Sequence, residues 1–340
     1  MSARDAPVEA PDDTLAPLIV AGGARPRDQR DLMERPFFSL AKSRRITPIR
    51  YQAGEVEVWV QGLPDFGMAT IWDADVLIWA GSQIVEAADR GLPTSRRLRF
   101  LPYQLLTATG RATGATEYRL LKAALRRLQS TVVATSLRNG EHWRRHQFSW
   151  INEWTELSGS DGRSLGLEIV LPDWFYRGVL DRALVLSIDP AYFQLTGGIE
   201  RWLYRVARKH AGRQPGGWRF EVAHLHVKSG SLARPSDFAL DLRRLVARQS
   251  LPGYRLLLSR DARRETLHIL PLVSTIDLAA PVDGLVTSGA APLVTSGAIA
   301  SGYQAQHPQL NLWPGGEIAA CNFDSNQESN LKRPPPRSRR

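Results

Sequence analysis

A chain of 340 residues that is 43% hydrophobic and carries ten tryptophans has enough apolar material for two ordinary packed domains, and is not a disordered polymer. No apolar run approaches the ~18 residues needed to span a bilayer, and the one cysteine, Cys321, excludes an intramolecular disulfide or a cysteine-rich zinc site. The net charge of +10 sits in the middle of the chain: residues 1–35 hold five Arg against seven Asp/Glu, and residues 276–340 hold five of each sign. A basic excess in the folded part points to a polyanion partner, although a basic balance is common and the preference for Arg over Lys can follow genome composition alone.

The first segment, 1–35, is rich in Pro, Ala, Asp and Arg without periodicity and reads as a disordered arm. Its apolar stretch Leu15–Ala24 is short and follows Asp12 and Asp13, the wrong flank for a signal peptide, so the chain reads as cytoplasmic and associated with nucleoid or plasmid. Alternation of Val56, Val58 and Val60 with Glu55, Glu57 and Trp59 predicts a strand, and Asp65-Phe66-Gly67 a turn. A helix follows Asp73, its candidate N-cap, with Val76, Leu77, Ala80, Ile84 and Ala88 on one face and Gly91 and Pro93 at its end. Arg97–Leu101 is a short strand, Tyr103–Thr109 a short helix and Ala115–Gln129 a strong helix. Thr131–Leu137 and Gln147–Asn152 form a hairpin around Asn139-Gly140, the strongest local turn signal in the chain.

That order, helix, strand, helix, turn, helix, hairpin, is the order of a winged helix-turn-helix domain. It recurs after Ser160-Asp161-Gly162. Leu165–Leu171 is a strand, a helix runs from Pro172 to Leu180, Leu184–Ile188 is a short strand and Ala191–Leu195 a helical turn. Ile199–His210 is an amphipathic helix with Trp202, Leu203 and Val206 inward, followed by a strand at Trp218–Val222 and a short helix at His224–Lys228. Pro235–Gln249 is the second strong helix, and Tyr254–Ser259 with Thr266–Leu272 forms a hairpin around Asp261–Arg264. The expectation is an α+β chain of two tandem winged helix-turn-helix domains, 36–158 and 159–275, with disordered tails at 1–35 and 276–340. In the C-terminal tail Gly284–Ala290 is nearly repeated as Pro292–Ala298, which a local duplication without a role explains.

The candidate DNA contacts lie on the third helix and wing of each domain. In the first, Arg119, Lys122 and Arg126 lie opposite Leu121, Leu125 and Leu128, with Arg127 flanking; phosphate neutralisation and an ordinary solvated face fit this pattern equally. In the second, Arg243, Arg244 and Arg248 lie off the stripe Phe238, Leu242, Leu245 and Val246. Arginine can hold guanine through two hydrogen bonds. Arg234 and Ser236 open that helix, where Ser236 reads first as a cap. The turn Lys228, Ser229 and Ser231 offers phosphate donors, and the hairpin tip adds Arg260, Arg263 and Arg264. The second domain is the better candidate for reading bases.

With these segments in hand the chain resembles the replication initiator protein A family of plasmids and integrative elements, over about Asp31–Leu272. The resemblance is carried by Glu34-Arg35-Pro36-Phe37-Phe38-Ser39-Leu40, Ile46-Thr47-Pro48-Ile49-Arg50-Tyr51, Gly67–Ile84 with Ile71-Trp72-Asp73-Ala74-Asp75, Lys228-Ser229-Gly230-Ser231 and Phe238–Val246. It implies a double-stranded DNA-binding initiator whose C-terminal winged helix grips origin repeats. The N-terminal one would contact the backbone and mediate dimerisation. Binding would open an adjacent segment and load the host replicative helicase with the host initiator, and the protein could repress its own promoter. No cofactor, metal or membrane is implied.

Two other readings stand beside this one. A winged-helix regulator without an initiation role has the same elements. A nicking enzyme would need a metal-binding His-hydrophobic-His pair on a strand and a tyrosine nucleophile. His224-Leu225-His226 fits the bare pattern but falls in a predicted helix, where surface or phosphate-contacting histidines are expected, and Tyr254 falls inside a strand. A nucleotide hydrolase lacks its Gly-Lys-Ser/Thr loop.

Overall fold

The computed structural model describes residues 23–138, 145–161, 163–212, 214–261 and 264–272. The expectations for the 276–340 tail with its repeat, for Cys321, and for Asn139-Gly140 and Arg263 fall outside these residues. No helix among the described residues is long and apolar enough to cross a membrane.

Order begins earlier than the sequence suggests. Strand β1 (Arg27–Gln29) and helix α1 (Arg30–Glu34) lie in the segment expected to be a disordered arm, yet Asp28, Gln29, Leu32, Met33 and Glu34 are all buried. Strands β2 (Ile49–Ala53) and β3 (Val56–Gly62) pair antiparallel, and β3 carries the predicted valine alternation inward through Val58 and Val60. Helix α2 (Ala74–Asp89) is buried nearly all round, not on one face. Asp73 stands at its N-cap position as expected, but its side chain makes no cap bond: the carboxylate accepts from the Thr70 N–H at 2.8 Å.

Strand β4 (Arg97–Phe100), helix α3 (Pro102–Ala108), helix α4 (Ala115–Ser130), and strands β5 (Thr131–Thr135) and β6 (His146–Ser149) fall where the periodicity puts them. The hairpin they were expected to complete is different. Strands β5 and β6 do pair, but β5 joins β3, giving a four-stranded sheet in the order β2-β3-β5-β6. The partner of β4 is instead β8 (Ser164–Val170), which also pairs with β7 (Glu153–Ser158), giving the order β4-β8-β7. Ser160 and Asp161 therefore lie at the tip of the first module's own hairpin and not at a domain boundary, and the expected division at 158/159 cuts through that hairpin.

After helix α5 (Asp173–Leu180), which packs Phe175 and Val179 against Gly81 of α2, strand β9 (Val185–Ser187) pairs antiparallel with β1. The second module follows: helix α6 (Gly198–His210), strand β10 (Trp218–Glu221), helices α7 (Val222–Ser229) and α8 (Pro235–Arg248), and strands β11 (Tyr254–Asp261) and β12 (Arg264–Pro271). Its sheet order is β10-β12-β11. Helix, strand, two helices and a hairpin, with the last strand in the centre of the sheet, thus occur twice, the first copy carrying β5 and β6 between α4 and its hairpin.

Each module has its own core. The first gathers α2, α4, β8 and an aromatic group in which Trp150 stacks on Phe38, with centroids 4.9 Å apart. The second is built around Trp202, Phe238, Leu242 and Ile269. Helix α1 joins them: Leu32 enters the first core and its neighbour Met33 the second. Helix α6, expected to be amphipathic, is buried on every side from Glu200 to Ala207 because it is also pressed against the first half. Its cations meet acids there. Arg201 bonds Asp75 at 2.7 Å, Arg205 bonds Asp28 at 2.6 Å and Lys209 meets Glu34 at 2.5 Å. Glycine is required at the end of α7, where the second module touches the first. Gly230 has φ +60°, and a Cβ there would meet the Pro36 side chain at 2.7 Å.

Burial pushes the Asp28 carboxyl up against the opposing pull of Arg205. Replacing Arg205 by Met leaves Asp28 with the Gln29 N–H alone, a buried charge without its partner. We expect Arg205→Met to lower stability by roughly 3–5 kcal/mol at pH 7, as measured by urea unfolding. In the folded variant Asp28 titrates above its unfolded value, so its protonated form adds stability that fades as pH rises. The deficit relative to wild type should therefore be smaller at pH 5 than at pH 7.

Candidate nucleic-acid interface

Helix α8 buries Phe238, Leu242 and Leu245 at positions i, i+4 and i+7, so Arg243, Arg244 and Arg248 face outward. Its N-cap is Arg234, with Pro235 in the first turn. Ser236 therefore does not cap the helix, and its hydroxyl leans toward Asp237 Oδ1 at 3.4 Å. The helix end is tied to the hairpin by Gln249, whose amide donates to the Leu256 carbonyl at 2.6 Å and accepts from its N–H at 2.9 Å. The C-terminal end of α8 is thus fixed to the hairpin.

The cations of this module differ in how firmly they are held. Arg234 forks onto Asp237, Arg244 makes one 3.2 Å contact with Asp241, and Arg264 meets Glu221 at 3.1 Å. All these side chains are solvent-exposed, and exposed pairs are worth about 0–1 kcal/mol, so a phosphate or base edge can displace the carboxylate at little cost. Arg243 is held more firmly, bidentate on Glu265 at 2.8 and 2.7 Å. Arg248 and Arg260 have no carboxylate partner among the described residues, although Arg260 lies across from Glu265 in the hairpin.

The turn before α8 is not the phosphate cradle expected from Lys228, Ser229 and Ser231. Ser229 is buried and donates to the His226 carbonyl at 2.7 Å, while its oxygen accepts from the Ser231 N–H at 3.1 Å. Ser231 accepts from the Ala233 N–H at 3.2 Å. Lys228 is buried 3.7 Å from Glu34, which also meets Arg35, Lys209 and His210. Burial opposes the Glu34 charge, but His210 and the neighbouring cations hold its carboxyl well below the usual carboxylate range. These three residues build the turn and its seat. His224 and His226 lie on α7 as expected, His224 face to face with Phe220 and His226 bonded to the Ala233 carbonyl at 2.8 Å. No group of three or more His, Cys, Asp or Glu suited to a metal occurs among the described residues.

In the first module α4 buries Leu121, Ala124, Leu125 and Leu128. Arg119 and Arg126 are exposed on its outer ridge, Arg119 bonding only Thr116 and Arg126 without a carboxylate partner among the described residues. Lys122 reaches Glu156 at 2.6 Å in an exposed pair. Arg127 is different: it forks onto the buried carboxylate of Asp73 at 2.8 and 2.7 Å, a frame contact and not a free cation. Beside α4 lies a cleft of about 350 Å³, lined by Lys42, Ser43, Arg44, Phe66, Trp72 and Leu120 among others. Its basic loop was not singled out from the sequence, although the run Ala41-Lys42-Ser43-Arg44-Arg45 is legible as a charge cluster.

The sequence profile of replication initiator protein A matches residues 27–256. The chain belongs to that family. A replication-initiation role comes with membership, and the initiator is 31% identical over 229 residues to a putative replication protein of Wigglesworthia glossinidia brevipalpis, covering 66% of the chain and 82% of that protein. In fold it is similar to a crystal structure of domains 2 and 3 of RctB, with a TM-score of 0.52 at 15% identity, over 71% of the initiator and 97% of that structure. The family match starts at Arg27, the first residue of β1.

The two adjacent arginines of α4 should separate in the laboratory. Arg127→Ala strands the buried Asp73 carboxylate and is expected to cost about 1–3 kcal/mol, whereas Arg126→Ala should leave the thermal midpoint unchanged. Equal midpoints for the two variants would remove the distinction.

Proposed function

We propose that this initiator binds duplex DNA through two winged-helix modules, with α8 reading bases in origin repeats and α4 holding the backbone, and that it opens the origin and loads the helicase without catalysing a covalent step. In this reading the β7–β8 hairpin is the wing of the first module and the β11–β12 hairpin that of the second. One observation carries it. The same topology occurs twice, and in each copy the second helix after the first strand presents arginines to solvent across from a buried stripe. The DNA is that of a plasmid or integrative element, in line with the family; the host initiator and helicase are the expected partners, and a homodimer belongs to the same reading.

Footprinting on the DNA flanking the initiator's own gene tests the binding claim. Protected repeats are expected there. A flat footprint, or failure of the gene with its flanking DNA to maintain a plasmid lacking another origin, would sink it. Incubation with supercoiled origin plasmid and magnesium should give no covalent protein–DNA adduct.

The two helices are expected to contribute differently. Arg244→Ala should weaken specific binding and relax preference at one base position, by roughly 1–3 kcal/mol of discrimination. Arg126→Ala should weaken all sequences alike and reduce the salt slope by about one. Unchanged preference in the first variant, or an unchanged slope in the second, would count against the assignment.

A further inference from the structure

The loop Ala41–Arg45 stands between the two modules. Arg45 is its anchor: buried, it donates from Nε to the Thr47 carbonyl at 2.9 Å and from one terminal nitrogen to the Gly230 carbonyl at 2.6 Å. Gly230 is the C-cap of α7, in the turn that leads to α8. The other end of the loop borders the cleft beside α4, opposite Leu120 and Arg127. One short basic segment thus connects the flank of the first outward helix to the turn that launches the second.

Within that cleft the charges do not cancel. Asp73 is matched by Arg127, and Arg111, the other cleft cation, is taken up by Asp75 at 2.7 Å. Lys42 and Arg44 are left. Lys42 lies over the Trp72 ring at 5.2 Å, and Arg44 donates to the Asp65 carbonyl at 3.3 Å; both are exposed, and neither has a carboxylate partner among the described residues. Their placement is built, not incidental. Gly67, at φ +75°, lies so close to the Arg44 stem that a Cβ would meet Arg44 Cγ at 2.5 Å. Phe66 and Leu120, 45% and 49% exposed, form an apolar rim on either side.

We propose that Lys42 and Arg44 form a third DNA-backbone contact, taking phosphates of the duplex between the segments held by α4 and α8. This rests on the reading that both modules face one duplex. On the α4 helix, Leu120 and Arg127 project about 100° from the ridge of Arg119 and Arg126, so the cleft opens beside that ridge and not behind it. A backbone lying along the ridge passes the cleft mouth. Two cations there neutralise two further phosphates and release their counterions.

The test is a salt titration of binding to a labelled mixed-sequence duplex of about 30 base pairs, which reads phosphate contacts without requiring a known origin site. Each lost contact reduces the log–log salt slope by about 0.9, so K42A/R44A should reduce it by about 1.8, with the same loss on DNA flanking the gene. K42R/R44K, which keeps both charges, should retain the wild-type slope. If the double variant fails to fold, the single variants K42A and R44A each report a change of about 0.9. A correctly folded K42A/R44A with the wild-type slope would overturn the proposal, and would leave the cleft to an acidic protein segment. Failure of the wild type itself to bind duplex DNA would instead overturn the reading beneath it, so the two failures are distinguishable.

Discussion

The arrangement of this molecule depends on one stripe of charge. Arg201, Arg205 and Lys209 stand at successive four-residue steps along α6, and each meets an acid from a different element: Asp75 of α2, Asp28 of β1 and Glu34 of α1. Buried pairs of this kind add little net stability compared with apolar residues of the same shape, since desolvation consumes most of the attraction. Their effect is directional. Rotating α6 or sliding it by one turn would strand several buried charges at once, at several kcal/mol each, whereas the apolar contacts of Leu203 and Val206 would tolerate a shifted seat. The stripe therefore selects one docking of the second module onto the first.

Two of its three acids come from the segment Arg27–Glu34, which by composition belongs to a loose N-terminal arm. That segment is held on both sides. Its strand pairs with β9, and Arg138 donates to Asp31 and Gln29 while stacking on Trp174 at 4.0 Å. An eight-residue piece thus serves as the wedge between two cores. If both modules engage one duplex, as proposed, this rigidity fixes the separation of α4 and α8, and through it the spacing of the DNA elements they can hold together.

What the sequence made legible follows the range of the interactions involved. Helices and strands declare themselves through period, and most of those expected fall within a residue or two of their observed bounds, while β1, α1, β2 and β7 had no such signal. Pairing does not. Asn139-Gly140 signals a hairpin, and β5 and β6 do pair, but turn chemistry says nothing about which third strand joins them. Val133 faces Val60 of β3, more than seventy residues upstream, and no local signal distinguishes that partner from β4. Ser160-Asp161 is ambiguous for the same reason: a polar turn sequence looks alike at a hairpin tip and at a domain boundary. Among the candidate contacts, Arg126 and Arg127 have the same helical credentials, and only Asp73, 54 residues away, assigns one to solvent and the other to the frame. Lys228 was lost to Glu34 in the same way.

Across the chain the arginines divide by the depth of the carboxylates they meet. Those paired with buried acids, at Asp28, Asp73 and Asp75, run within or between the modules and hold them in place. At α8 and its hairpin, Arg234, Arg244 and Arg264 meet exposed acids within a turn or on the neighbouring strand, at Asp237, Asp241 and Glu221, while Arg243 is held by the half-buried Glu265. If this surface faces DNA, as proposed, a weak local acid has a use there. It opposes indiscriminate phosphate binding, since an arginine must leave its carboxylate for every non-specific contact, while two hydrogen bonds to a guanine edge more than replace one 3.2 Å contact. In the proposed reading, loose pairing on the outward helix would therefore filter for sequence. Pairing this loose at the α6 stripe would leave the two helices without a fixed relation, and the filter would have no register in which to act.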